Sequence, residues 1–121
     1  MTAIAANERA TLPVQLQKCL EALDQKKADE IRVLYVGDVS SVTDYFLIAT
    51  GTSNPHLKAL AGEVIDVLKA FGEESSVSGL GDNSGWVVVD AYDFMVHLFT
   101  EEMRAYYSLE TLWKDGNLIE W

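Results

Sequence analysis

The stretch from Trp86 to Thr100 constrains the fold of this chain more than any other. It reads WVVVDAYDFMVHLFT, two apolar segments, Trp86–Asp90 and Asp93–Thr100, separated by Ala91 and Tyr92. Each segment is too short for a typical helix and rich in β-branched and aromatic residues, so each predicts a strand. If Ala91-Tyr92 is the whole loop, Asp90 faces Asp93, Val88 faces Met95 and Trp86 faces His97. Side chains alternate across a sheet, which puts Trp86, Val88, Asp90, Asp93, Met95, His97 and Phe99 on one face. Val87, Val89, Phe94, Val96 and Leu98 form the other face, purely apolar and therefore core. The register rests on that loop length, and Ala91-Tyr92 lacks the Gly or Asn that a tight primed turn prefers.

The remaining elements supply a sheet and its cover. Leu12, Leu16, Cys19, Leu20 and Leu23 recur at helical spacing, with Thr11 as cap and Pro13 in the opening turn. Ile31–Val36 and Asp44–Thr50 read as strands, the second almost wholly apolar and so central. Gly51-Thr52-Ser53-Asn54-Pro55 is a strand-to-helix turn in which Ser53 or Asn54 caps and Pro55 takes the first helical position. The helix it opens runs to about Phe71, with Leu57, Leu60, Ala61, Val64, Ile65 and Leu68 facing the core and Gly72 as terminator. A short strand falls within Glu74–Leu80. Thr100 caps a last helix whose first turn holds Glu101 and Glu102, the charge favoured there. This order predicts an α/β (α+β) fold, a mixed sheet of about five strands flanked by helices, with one right-handed crossover through the second helix. Residues 11–113 form a single domain, between a loose leader (1–10) and a tail (114–121).

Charge narrows the partners. Nine basic against nineteen acidic side chains leave a net −10 over 121 residues. Nucleic-acid affinity depends on Lys and Arg displacing counterions, so no direct grip on a phosphate backbone is expected. A basic protein surface is attracted instead, although excess acid also serves plain solubility. The single cysteine, Cys19, excludes an internal disulfide and a CxxC metal site. No run approaches the roughly eighteen apolar residues of a membrane span, and residues 1–10 do not read as a signal peptide. A cytoplasmic soluble protein is the expectation.

Chemistry has few footholds. Two carboxylates facing each other on a strand pair repel. Asp90 and Asp93 therefore call either for a cation, whether a metal or a partner's Arg or Lys, or for turn N–H groups that each carboxylate caps. A metal needs further hard ligands, and His97 alone stands nearby. Gly51-Thr52-Ser53 offers N–H groups to a phosphate, but no Walker lysine follows, and a capped turn is the better reading. His56 and His97 lack a nucleophile in a recognisable setting. In the last helix Leu109, Leu112 and Trp113 fit a core stripe, while Tyr106 and Tyr107 beside Arg104 suit an interface.

These residues together resemble a known family. Asp44-Tyr45-Phe46-Leu47-Ile48-Ala49-Thr50-Gly51-Thr52-Ser53, then His56, Trp86-Val87-Val88-Val89-Asp90, Asp93 and His97, and finally Tyr107-Ser108-Leu109-Glu110-Thr111-Leu112-Trp113 are similar to the ribosomal silencing factors, called Iojap in plants. The likeness spans about Val14 to Trp113. It implies a nucleotidyltransferase-like fold without an established transferase activity, and no cofactor is expected. It also implies binding to ribosomal protein fourteen of the large ribosomal subunit, which blocks joining of the small subunit and represses translation when nutrients are scarce. Chemistry, rather than the family, suggests the contact set: Trp86 as anchor with Val88, Met95 and His97 around it, Asp90, Asp93, Glu102 and Glu110 as acceptors for Arg or Lys, and Tyr92, Tyr106 and Tyr107 as rim. Two other readings stand beside it. One is a metal-dependent nucleotidyl- or phosphotransferase using Asp90, Asp93 and the Gly51–Ser53 turn; the other is a homodimer through the same aromatic face.

Overall fold

Two apolar strands of seven residues each lie side by side within the sheet. In the computed structural model, which describes residues 2–4, 12–37, 43–107 and 117–119, strands Tyr45–Gly51 (β3) and Phe94–Thr100 (β6) pair in parallel from Tyr45↔Phe94 to Gly51↔Thr100. On their outer sides Asp29–Tyr35 (β2) and Trp86–Asp90 (β5) pair antiparallel, followed by the short edge strand Ser76–Ser78 (β4). Two further strands, Thr2–Ile4 (β1) and Asn117–Ile119 (β7), come from the leader and tail segments. They make a seven-stranded sheet of order β1-β7-β2-β3-β6-β5-β4.

Helices Val14–Gln25 (α1) and Asn54–Ala70 (α2) cover one face. Leu16, Leu20 and Leu23 of α1 and Leu57, Leu60, Val64 and Leu68 of α2 are buried in one cluster with Val33, Leu47, Ala49, Val87, Val89, Val96 and Leu98 of the strands. Strict alternation explains the split, because Val87, Val89, Val96 and Leu98 point to the helices and their neighbours do not. Ser53 Oγ caps α2, accepting the His56 N–H at 3.2 Å. Gly72, in the left-handed region at φ 73°, ends it, with the Glu73 N–H bonded to Leu68 O at 3.0 Å. For α1 the capping position is Pro13, with no side-chain cap; Thr11 lies outside the described residues. Among the described residues no helix is long and apolar enough to cross a membrane.

The last helix, Glu101–Tyr107 (α3), packs on the other face through Met103. Thr100 Oγ1 accepts the Met103 N–H at 3.4 Å, the expected cap. Arg104, close in sequence to the tyrosines that suit an interface, is itself buried, at 7% exposed. Its Nη1 donates to Glu30 O at 2.6 Å and to Thr50 Oγ1 at 2.7 Å. The Glu30 carbonyl is available because β2 is irregular there: Glu30 adopts φ 47° and the β2–β3 register shifts between Asp29 and Arg32. One buried guanidinium thus fixes α3 to two strands.

The β5–β6 pair departs from expectation by two residues. Asp90 pairs with Met95, Val88 with His97 and Trp86 with Phe99, so Ala91 through Phe94 separate the last paired residues. Tyr92 takes the left-handed conformation at φ 69°, and the Ala91 N–H bonds to Phe94 O at 3.0 Å. Asp90 and Asp93 therefore do not face each other. A two-residue slip preserves parity, and the division into faces survives it.

Two glycines test this packing in opposite directions. Gly79, just after β4, has φ 92°, and a Cβ there would lie 2.2 Å from Trp86 O. Gly62, inside α2, has nothing within 4 Å of a Cβ. Urea unfolding is expected to show Gly79→Ala destabilised by about 2 kcal/mol or more. Gly62→Ala is expected to be stabilised by about 0.5–1 kcal/mol, because alanine has the better helix propensity.

Candidate functional site

The sheet face turned away from α1 and α2 carries the unusual side chains. Leu34, Val36, Ile48 and Phe99 are buried there, with Phe46, Trp86 and Met103 packed against them. Register alignment sets Phe46 beside Met95 and Asp90, and Ile48 beside His97 and Val88, across β3, β6 and β5. Phe46, Met95, Val88 and Trp86 are each only half-buried. They form an apolar stripe across three strands.

Aromatic contacts fix the stripe. Trp86 stacks on Phe99 with centroids 5.3 Å apart and 17° between planes, and on His97 at 6.0 Å. Phe46 meets the His97 ring edge-on at 4.9 Å. Trp86 Nε1–H donates to His97 Nδ1 at 3.3 Å, which assigns the imidazole proton to Nε2. Nε2 has no hydrogen-bond partner among the described residues. Burial disfavours the imidazolium and lowers the His97 pKa from 6.5 to about 4. His97 is thus neutral at pH 7 and lies beneath the surface formed by Trp86 and Phe46, not in it.

Other predicted positions scatter. Tyr92, 66% exposed, sits at the tip of the β5–β6 turn, where Asp90 Oδ1 accepts its N–H at 2.9 Å. Asp90 is therefore the turn-capping aspartate of the two alternatives. Asp93 is exposed, and its carbonyl accepts the Asp44 N–H at 3.1 Å. This places Asp44, Asp90 and Asp93 at one end of the sheet, clear of His97. A transferase site built on an opposed Asp90–Asp93 pair loses its geometric basis. Glu102 and Tyr106 are exposed on α3. Tyr107 closes that helix, and the Tyr107 side chain, Glu110 and Trp113 lie outside the described residues.

The Gly51–Ser53 turn is already satisfied from within. His56 Nδ1 accepts the Thr52 N–H at 2.9 Å, and His56 Nε2 donates to Lys26 O at 2.8 Å. The imidazole ties the end of α1 to the start of α2 and occupies an N–H that a phosphate would need. Sequence reasoning left Phe46 out of the site. Its strand is apolar on both faces, so alternation gives no sign of which residues face outward. Asp82, in the loop after β4, was missed as well; beside Trp86 and Val88 it lines a groove of about 290 Å³.

Fold and face define a mixed α/β domain with one sheet face closed by helices and the other presenting an aromatic stripe. Comparison with known proteins gives the class a family. The family described as ribosomal silencing factor during starvation matches residues 9–121. A ribosomal silencing factor of Bacillus subtilis is 35% identical over 114 residues, covering 94% of this chain and 93% of that one. That of Halalkalibacterium halodurans is 36% identical over 105 residues, covering 87% and 90%. A crystal structure from Bacillus halodurans superposes with a TM-score of 0.76 at 36% identity, covering 88% of this chain and 96% of its own. The chain belongs to the ribosomal silencing factor family.

The buried imidazole gives a signed pH dependence. His97 has a lower pKa folded than unfolded, so the unfolded state binds more protons once the pH drops below about 6.5. Its contribution is complete above that value and is lost as the pH falls toward the folded pKa of about 4. Between pH 7 and 4.5 the loss through His97 is expected to be on the order of 2 kcal/mol. Denaturant unfolding of the parent chain and of His97→Gln should show that much less pH dependence in the variant.

Proposed function

We propose that this protein represses translation in the cytoplasm by binding the large ribosomal subunit through ribosomal protein fourteen and sterically blocking the small subunit. The reading is non-enzymatic: the chain acts by occupying a surface. The observation that carries it is the half-buried stripe of Phe46, Met95, Val88 and Trp86 on the sheet face without α1 and α2, in a family named for ribosome silencing. Such a stripe supplies the apolar, aromatic centre that protein interfaces favour. Net charge −10 supports a basic protein as partner over RNA itself. Glu102, Tyr106 and the turn with Tyr92, Asp90 and Asp93 supply rim candidates, exposed or half-exposed around this face.

Co-sedimentation with isolated large subunits tests the reading. The chain is expected to pellet at low salt and to be progressively released as salt screens the acidic contacts. Large subunits lacking ribosomal protein fourteen should fail to bring it down. Val88→Arg places a charge in the stripe while β5 keeps its ladder, and binding should fall about tenfold or more. Equal pelleting with and without that ribosomal protein would refute the assigned partner. A concentration-dependent dimer lost in Val88→Arg, with no pelleting at all, would assign the stripe to a second copy of the chain.

A further inference from the structure

We infer that the groove between Trp86 and the loop Gly79–Ser84 seats an arginine side chain of the docking partner, its guanidinium against the indole and paired with the Asp82 carboxylate. The inference rests on the docking reading above and names the chemistry at one point of that face. The groove, about 290 Å³, is lined by Ser78, Gly79, Asp82, Ser84, Trp86 and Val88. That is room for one long side chain and too little for a folded element. Trp86 and Val88 give it an apolar wall, Asp82 a negative charge, and its lining contains no basic residue. An anion would meet the Asp82 charge there with no cation to offset it. A cation finds an aromatic ring and a carboxylate together, on a chain of net charge −10.

Its walls are held in place. A Cβ on Gly79 would collide with Trp86 O, so the loop starts pressed against β5. Ser84 Oγ donates to Trp86 O at 3.3 Å, and Asp82 Oδ1 accepts the Ser84 N–H at 3.1 Å, which leaves the other carboxylate oxygen for a ligand. The loop ends at Gly85, whose carbonyl accepts the Thr100 N–H at 3.0 Å. Trp86 is itself stacked on Phe99. Carboxylate and indole are thus each oriented by contacts within the chain, which lowers the ordering cost of binding. Arginine fits better than lysine because its planar, weakly hydrated fork can stack on a ring and bond a carboxylate at once, whereas an ammonium keeps its water.

The full chain, labelled with ¹⁵N, is titrated with N-acetyl-arginine-N-methylamide while the indole N–H signal that disappears in Trp86→Phe is followed. That signal and the Asp82 and Ser84 amides should move saturably with the arginine amide, less with the lysine amide, and not with the leucine amide. Asp82→Asn retains an oxygen for the Ser84 N–H, so the loop is kept, and should weaken the arginine titration about two- to fivefold. Equal shifts with the leucine amide, or an unchanged titration in Asp82→Asn, would overturn the arginine site. On large subunits, Asp82→Asn should pellet about two- to fivefold more weakly than the parent. Equal pelleting of both removes the groove from the interface and leaves the docking reading standing. Failure of the parent to pellet removes the partner itself, whatever the amides show.

Discussion

The parallel ladder between β3 and β6 runs unbroken from Tyr45↔Phe94 to Gly51↔Thr100, and the other elements take their places from it. It sorts the side chains of both strands into two sets. Leu47 and Ala49 with Val96 and Leu98 turn toward α1 and α2; Phe46 and Ile48 with Met95, His97 and Phe99 turn the other way. Its far end delivers Gly51 to the start of α2 and Thr100 to the start of α3. Because a slip of one residue would exchange the two faces, burial of the helix-side set locks the orientation of the aromatic set. The surface stripe is held in place by the core behind it.

That dependence explains what was legible. Strand Trp86–Asp90, the cap of α2 by Ser53 and its termination at Gly72 follow from local chemistry and stand where the residues place them. The β5–β6 register did not follow, since nothing about tyrosine announces that Tyr92 adopts φ 69°. Parity rescued the faces all the same. His97 was assigned to the right face but not to the right depth, because its burial is set by Phe46 and Trp86, which reach it from neighbouring strands. The burial of Arg104 is set by partners on distant strands, the Glu30 carbonyl brought close by an irregular β2 and the Thr50 hydroxyl, which together make a buried guanidinium tenable. β1 and β7 are three-residue strands too brief for any alternation to be read.

Functional legibility was uneven for a related reason. Family membership is carried by short motifs distributed along the chain, whereas the candidate surface is assembled from side chains of β3, β5 and β6. A net charge of −10 favours a basic partner in the proposed reading but gives no position for the contact, since it is a property of composition alone. What singles out one face is half-buried apolar area next to carboxylates, a property of the folded sheet.

Hydrogen–deuterium exchange with side-chain footprinting of the chain bound to large ribosomal subunits tests the central claim, that the stripe is the docking surface. The account predicts protection of Phe46, Trp86 and Met95 and of the loop around Asp82, with the outer surfaces of α1 and α2 unchanged. Protection confined to α1 and α2, with Trp86 and Met95 as reactive as in the free protein, would contradict it.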